Sequence, residues 1–320
     1  MLNIIESKVF DNEKLARKDA LFISSLSGQD IFDLFSSANR IRDHFRGDAV
    51  DLCAIINAKS GACPEDCSYC AQSAGSTAEI KTFQLVENET VLEKAIEAKK
   101  GGARRFCIVT SGKKASAKDL SKISEMVSAI RNLGLLPCAT LGLLSKEELQ
   151  QLKEAGLERY HNNIETSERF FSEICTTHTY QDKIATIKEV KTCGLSLCSG
   201  GIFGLGETWE DRIDMAFALR DLSPDSVPIN FLTPVKGTRL GVNKFLGPLE
   251  ALKIISLYRF ILPDKEIRVC GGRIQTLGEF NSFIFYAGAD GLLTGDYLTT
   301  LGRNLKDDLK LISQYGLKVL

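Results

Sequence analysis

Along most of this chain, short apolar runs alternate with amphipathic stretches of helical period, and that alternation restricts the fold more than any other feature. Eight runs stand out, at 51–57, 104–110, 135–141, 159–165, 195–201, 226–232, 266–271 and 289–294. Helical patterns follow nearly every one, at 90–100, 118–133, 146–155, 180–192, 209–222, 249–262 and 277–286. Ser145 with Glu148 reads as a capping box, and Gly134, Gly156 and Gly194 stand where helices should stop. Eight βα units predict an α/β fold, a (β/α)8 TIM-type barrel over residues 49–320, with a short helical N-terminal extension over 1–48. In the extension, 12–26 and 30–45 carry the helical spacing. A doubly wound sheet shows the same alternation, but no Gly-rich dinucleotide fingerprint follows the first run.

Charge says little about partners. Lys plus Arg number 40 and Asp plus Glu 41, so nothing draws the chain to nucleic acid. No apolar run reaches the roughly 20 residues that span a bilayer. The N-terminus lacks the basic-then-apolar layout of a signal peptide, which points to the cytosol. The 10 cysteines are then not a disulfide framework, and some should be metal ligands.

Three of them fall in one loop directly after the first run: Cys63, Cys67 and Cys70, spaced C-x3-C-x2-C. Soft thiolates so close together suit three corners of an iron–sulfur cubane. A fourth ligand is missing, and an open metal position is where chemistry takes place. A structural zinc loop is the alternative, although no further Cys or His lies between Cys70 and Cys107 to complete it. Cys107, Cys138 and Cys198 sit inside three predicted strands. Small apolar filling is an adequate account of such cysteines on their own. If all three face the barrel axis, they converge.

The loop from Lys59 to Ser73, the segment Cys198 to Glu207, Val227 to Leu232 and Ile267 to Arg273 together resemble biotin synthases of the radical SAM superfamily, over about residues 30 to 315. The resemblance implies that Cys63, Cys67 and Cys70 hold a [4Fe–4S] cluster whose open iron binds S-adenosyl-L-methionine. It implies that Cys107, Cys138 and Cys198 hold an inner [2Fe–2S] cluster, with Arg268 as its unusual fourth ligand. A guanidinium has no free lone pair at neutral pH, so the plain alternative for Arg268 is a buried ion pair with Glu165 or Glu207. The implied reaction is sulfur insertion into dethiobiotin through a 5′-deoxyadenosyl radical. A flavodoxin- or ferredoxin-like electron donor and a homodimer are implied with it. Another radical SAM enzyme of the same subfamily, a maturase or mutase, is the rival reading, as is a non-catalytic metal protein.

The fourth run is unusually polar, and alternation puts His161, Asn163 and Glu165 on one face. By the resemblance, Asn163 contacts the bound small molecules. His161 replaces an Asn that contacts the substrate's ureido ring, and Glu165 replaces an Asp on S-adenosylmethionine. Asn230 matches a second ureido contact, and Tyr69 and Lys183 stand on the cofactor side. Gly200, Gly201 and Gly204 permit close backbone approach to a ligand. Cys270, two residues beyond Arg268, is expected to face inward near the inner cluster, where the family more often has Ser. Cys53, Cys175 and Cys193 read as structural. No general acid–base pair is required for hydrogen-atom abstraction.

Overall fold

A computed structural model of the chain describes residues 1–295 and 302–320. Three helices come first: α1 (Leu2–Phe10), α2 (Arg17–Ser25) and α3 (Asp30–Arg46). The strands and helices then alternate as β1 (Ala49–Lys59), α4 (Asn88–Lys100), β2 (Arg105–Thr110), α5 (Ala117–Asn132), β3 (Leu136–Thr140), α6 (Lys146–Glu154) and β4 (Arg159–His161). They continue through α7 (Glu168–Ile174), α8 (Tyr180–Thr192), β5 (Ser196–Cys198), β6 (Gly201–Phe203), α9 (Trp209–Leu222), β7 (Ser226–Phe231), α10 (Pro248–Ile261) and β8 (Glu266–Val269). The chain ends with α11 (Arg273–Leu277), β9 (Gly291–Leu293), α12 (Leu305–Gln314) and β10 (Lys318–Val319).

Every strand pairing is parallel, in the order β1-β2-β3-β4-β5-β7-β8-β9, and β9 returns to pair with β1. The sheet is therefore a closed barrel, and closure leaves no edge to pair with another chain. β6 prolongs the β5 position against β7, and β10 adds to the start of β1. Helices start where side chains can satisfy their first N–H groups. Ser145 accepts from Glu148 N while Glu148 reaches back, and Thr179 with Asp182 and Thr208 with Asp211 repeat the box on α8 and α9. The stops at Gly134, Gly156 and Gly194 have φ of 81°, 103° and 66°.

Some boundaries differ from the pattern reading. The fourth strand leaves the ladder after His161 because Glu165 takes φ 66°, a left-handed conformation that turns the chain back toward Gly200 and Gly201. The expected helix at 277–286 is α11 followed by a 3-10 segment, Gly278–Phe283. The expected helix at 12–26 begins only at Arg17.

Asp290, just before β9, fastens the strands to the surrounding helices. It accepts from Arg46 Nε at 2.7 Å, from Ile267 N at 2.8 Å and from the fully buried Arg259. Arg259 spends its other donors on the carbonyls of Gly288, Pro263 and Lys265. Removing the carboxylate leaves a buried cation without its counter-charge, which typically costs about 3–5 kcal/mol. Asp290→Asn keeps an acceptor for Ile267 N but loses the charge, so it should lower the thermal unfolding midpoint of the cluster-free protein nearly as much as Asp290→Ala. An Asp290→Asn midpoint close to that of the unaltered protein would count against this role for the charge.

Candidate functional site

Alternation along each strand sends one residue in two to the barrel axis. The axis here holds a cavity of about 370 Å³. Cys53, Cys107, Cys138, Cys198, Arg268 and Cys270 line its lower part, and Tyr69 and Cys70 line its mouth. The three strand cysteines of the sequence reading thus face one space. Each is at most 8% exposed.

Beneath the thiols lies a closed ionic network. Arg268 Nη2 donates to Asp51 Oδ1 at 2.7 Å and to Glu266 Oε1, and its Nη1 donates to Leu292 O at 3.0 Å. Arg105 Nε donates to Asp51 Oδ2 at 3.1 Å and its Nη1 to Glu158. Arg159 Nη1 donates to Glu266 Oε2 at 3.2 Å. The sequence pointed to Glu165 or Glu207 as ion partners of Arg268, and neither is. Glu207 instead accepts from the backbone of Gly204, Leu205 and Gly206 and pairs with Arg212. Strand register brings Asp51 and Glu266 beside Arg268 from other positions in the chain, or two residues back on its own strand. Burial pushes the Cys107 and Cys198 thiols up, and Cys138 to about 12, while nearby guanidiniums pull the other way. The donor set suits an anionic thiolate-bound cluster: soft sulfur ligands surrounded by fixed positive charge.

The polar face on and after β4 forms one chain of hydrogen bonds. Gly200 N donates to Asn163 Oδ1 at 3.0 Å, which marks that oxygen as an acceptor. His161 Nε2, 2.8 Å from the same oxygen, must therefore carry the ring proton. Its Nδ1 then accepts from the Thr140 hydroxyl at 2.9 Å. Asn163 Nδ2 donates to Glu165 Oε2 at 3.2 Å, and the Tyr69 hydroxyl bonds the same carboxyl group. The Thr140 oxygen also lies 3.5 Å from Cys107 Sγ. Burial lowers the His161 pKa to about 4 and raises that of Glu165. Lys183 Nζ sits 3.4 Å from Asn162 Oδ1, close enough to oppose the rise at Glu165. Asn230 bridges two strands, donating to Gly201 O and accepting from Gly271 N. Gly200 and Gly201 also lie where backbone crowds backbone. A Cβ there would meet Pro228 O at 2.1 Å and Glu165 O at 2.3 Å, so the close approach is of backbone to backbone. Gly204, with φ 92°, turns the chain under Leu246.

The loop with Cys63, Cys67 and Cys70 is held from outside by residues 174–178. Asp66 accepts from Thr176 N at 2.8 Å and Thr177 N at 3.3 Å, Ser68 N donates to Ile174 O at 2.8 Å, and Glu65 bonds Thr177 and His178. Cys175, read from the sequence as structural, lies with its Sγ 3.8 Å from Cys67 Sγ and 3.2 Å from His178 Nδ1. Among the described residues, Cys67, Cys175 and His178 have donor atoms within 4.8 Å of one another. Hydrogen bonds, the largest of them from Cys67, lower the Cys175 pKa to about 4. Sequence spacing could not show this clamp, because more than 100 residues separate its halves. Cys67 thus points to Cys175 and His178, and the clamp fixes the loop that also carries Cys63 and Cys70.

Two outcomes follow. His161 is neutral when folded and would bind a proton below pH 6.5 when unfolded. Stability tied to it is therefore full above pH 6.5 and falls as pH drops toward about 4. The slope is at most about 1 kcal/mol per pH unit. Denaturant midpoints across that window should fall less steeply in His161→Asn, and parallel profiles would refute the assignment. Cys175→Ala should loosen the cysteine loop, seen as faster iron loss to a chelator from the anaerobically reconstituted protein. Unchanged release would assign Cys175 to packing alone.

The Radical SAM superfamily matches residues 58–219, and the Biotin and Thiamin Synthesis associated domain matches 228–318. Among solved structures, a methylornithine synthase superposes with a TM-score of 0.87 at 22% identity, covering 99% of this chain and 97% of that one. The hydrogenase maturase HydG from Carboxydothermus hydrogenoformans gives 0.83 at 18%, covering 99% and 79%. Likeness at that level concerns the fold alone. The biotin synthase of Thermodesulfovibrio yellowstonii is 54% identical over 93% of this chain and 94% of its own length. That of Geobacter metallireducens is 45% identical over 99% and 97%. With both lobes of the match in place and such identity sustained from end to end, the chain belongs to the biotin synthase family of the radical SAM superfamily.

Proposed function

We propose that this cavity converts dethiobiotin to biotin, with a cluster at each end and the substrate between them. The observation that carries the reading is the single interior space bounded by Cys70 and Tyr69 above and by Cys107, Cys138 and Cys198 below. Cys63, Cys67 and Cys70 hold the [4Fe–4S] cluster, and the three strand cysteines hold the [2Fe–2S] cluster with Arg268 beside it. When bound, the upper cluster with S-adenosylmethionine supplies a 5′-deoxyadenosyl radical, and the lower one supplies the sulfur.

The protein's own groups bind, orient and exclude. Glu165 and Asn163, braced by Tyr69 and Gly200, present hydrogen-bonding groups on the cofactor side. Lys183 adds positive charge there, and the turn from Gly200 through Gly204 forms the adjoining wall. Asn230 and the edge of the His161 ring face the substrate. Ile202, Phe231 and Leu232 close the wall, so that a carbon radical formed inside meets no water. His161, uncharged and locked by Thr140 and Asn163, offers no proton to the radical site. Residues 1–48 act as an extension that packs on the barrel through α3 and α10. A flavodoxin- or ferredoxin-like protein supplies electrons, and the working unit is a homodimer. No helix among the described residues is long and apolar enough to cross a membrane.

Anaerobic reconstitution with iron and sulfide, followed by reduction in the presence of dethiobiotin and S-adenosylmethionine, should yield biotin together with 5′-deoxyadenosine. Deoxyadenosine without biotin would retain the radical chemistry and remove this substrate.

A further inference from the structure

The clamp on the cysteine loop is also a set of metal donors. Cys67 Sγ lies 3.8 Å from Cys175 Sγ, and Cys175 Sγ lies 3.8 Å from His178 Nε2. Among the described residues, Cys67, Cys175 and His178 place their donor atoms within 4.8 Å of one another. His178 Nδ1 faces the Glu65 carboxylate, which leaves the Nε2 lone pair for a metal. A carboxylate behind a histidine ligand is the usual outer support of a zinc site. Two thiols and an imidazole suit zinc and disfavour calcium or magnesium.

Spacing separates a single ion from a cluster. Two sulfurs each about 2.3 Å from a tetrahedral zinc stand about 3.8 Å apart, and a sulfur and a ring nitrogen about 3.5 Å apart. The observed separations, 3.8 Å in both cases, are close to these. Thiolates on different corners of a cubane diverge instead, so the Cys67 position seen here suits one ion shared with Cys175.

The donors are already held in place. Cys175, His178 and Glu65 are 3%, 8% and 5% exposed. The Phe171 ring packs edge-on against His178, with centroids 5.6 Å apart. Thr177 Oγ1 donates to Glu65 Oε2 at 2.7 Å, and Asp66 fixes the backbone at Thr176 and Thr177. Ligands locked by such outer contacts need little ordering when a metal binds.

We propose that the cluster-free chain binds one zinc ion through Cys67, Cys175 and His178, with Glu65 behind the histidine and a fourth position open to water. The two thiols release their protons to solvent as the ion binds. In the function proposed above Cys67 is a ligand of the [4Fe–4S] cluster, and one thiolate cannot serve both, so zinc and that cluster exclude each other. The ion keeps the loop ordered before the cluster is built, and its departure frees Cys67 to turn toward Cys63 and Cys70. The exclusion rests on the cluster reading, whereas the zinc site stands on its own geometry.

Full-length chain, stripped of metal and kept anaerobic, should bind Zn2+ added alone. Whatever the inner thiols take up, Cys175→Ala and His178→Ala should each bind one ion fewer per chain than the unaltered protein. Glu65→Gln should weaken that uptake about 10–100-fold. Cys63→Ala combined with Cys70→Ala should retain it. Co2+ in place of zinc should show sulfur-to-cobalt charge transfer that weakens in Cys67→Ala. Full uptake in both Cys175→Ala and His178→Ala, or its loss from the Cys63 and Cys70 double variant, would overturn the site by placing the ion on the motif thiols. On reconstitution with iron and sulfide, the zinc-loaded chain should incorporate less of both than the stripped chain, and Cys175→Ala should escape this inhibition. Equal incorporation with and without zinc would overturn the exclusion. A stripped chain that builds no sulfide-bearing cluster would overturn the cluster reading instead, with the zinc stoichiometry untouched.

Discussion

Three guanidiniums and two carboxylates buried under the barrel axis set the conditions for everything above them. Arg105, Arg159 and Arg268 interlock with Asp51 and Glu266, each carboxylate engaging two of the guanidiniums. Such a network is expensive to desolvate, and an apolar layer of similar volume would often be no less stable. Its presence makes sense through what it faces. On the proposed function, a ring of thiols becomes a ring of thiolates when iron binds, and fixed positive charge offsets the cost of that away from water. The carboxylates keep the guanidiniums oriented and prevent the uncompensated repulsion of three cations.

The same strand geometry explains why the two ends of the cavity differ. At the lower end, side chains project from regular strands and their positions follow from register. At the mouth Cys63, Cys67 and Cys70 sit on a loop, and a loop needs external support to hold three sulfurs in place. The segment 174–178 supplies it through Asp66, Glu65 and the Cys67–Cys175 contact. The left-handed backbone at Glu165 belongs to the same region, a strain of about 1–3 kcal/mol of the kind found where a side chain must be aimed.

The sequence pattern made the barrel legible because both periods, two and 3.6, are strong here, and caps such as Ser145 with Glu148 marked the ends. The thiol sets were legible for different reasons. Cys63, Cys67 and Cys70 declare themselves by spacing alone. Cys107, Cys138 and Cys198 required the resemblance to a family, since one cysteine in a strand is ordinary. What escaped was register between distant strands. Arg268 finds Asp51 across β9 and Glu266 on its own strand, whereas Glu165 and Glu207, plausible on charge alone, are consumed by Asn163 and by Arg212. The clamp on Cys67 escaped because Cys175 and His178 are ordinary residues until the fold brings them to the loop.

Proteins sharing 22% or 18% identity superpose on this barrel and are named for different activities, a synthase of methylornithine and a hydrogenase maturase, so the scaffold alone selects no reaction. Selection has to lie in inward-facing residues, and His161 shows how a substitution there can be absorbed. Both ring nitrogens are spent on Thr140 and Asn163, so the imidazole turns a carbon edge to the cavity where an amide would offer a donor and an acceptor. On the proposed function, recognition of a cyclic urea then falls more heavily on Asn230, whose amide carries a second N–H beyond its bridges to Gly201 and Gly271. The histidine in return stiffens Asn163 and Glu165, trading a direct contact for a fixed cofactor face.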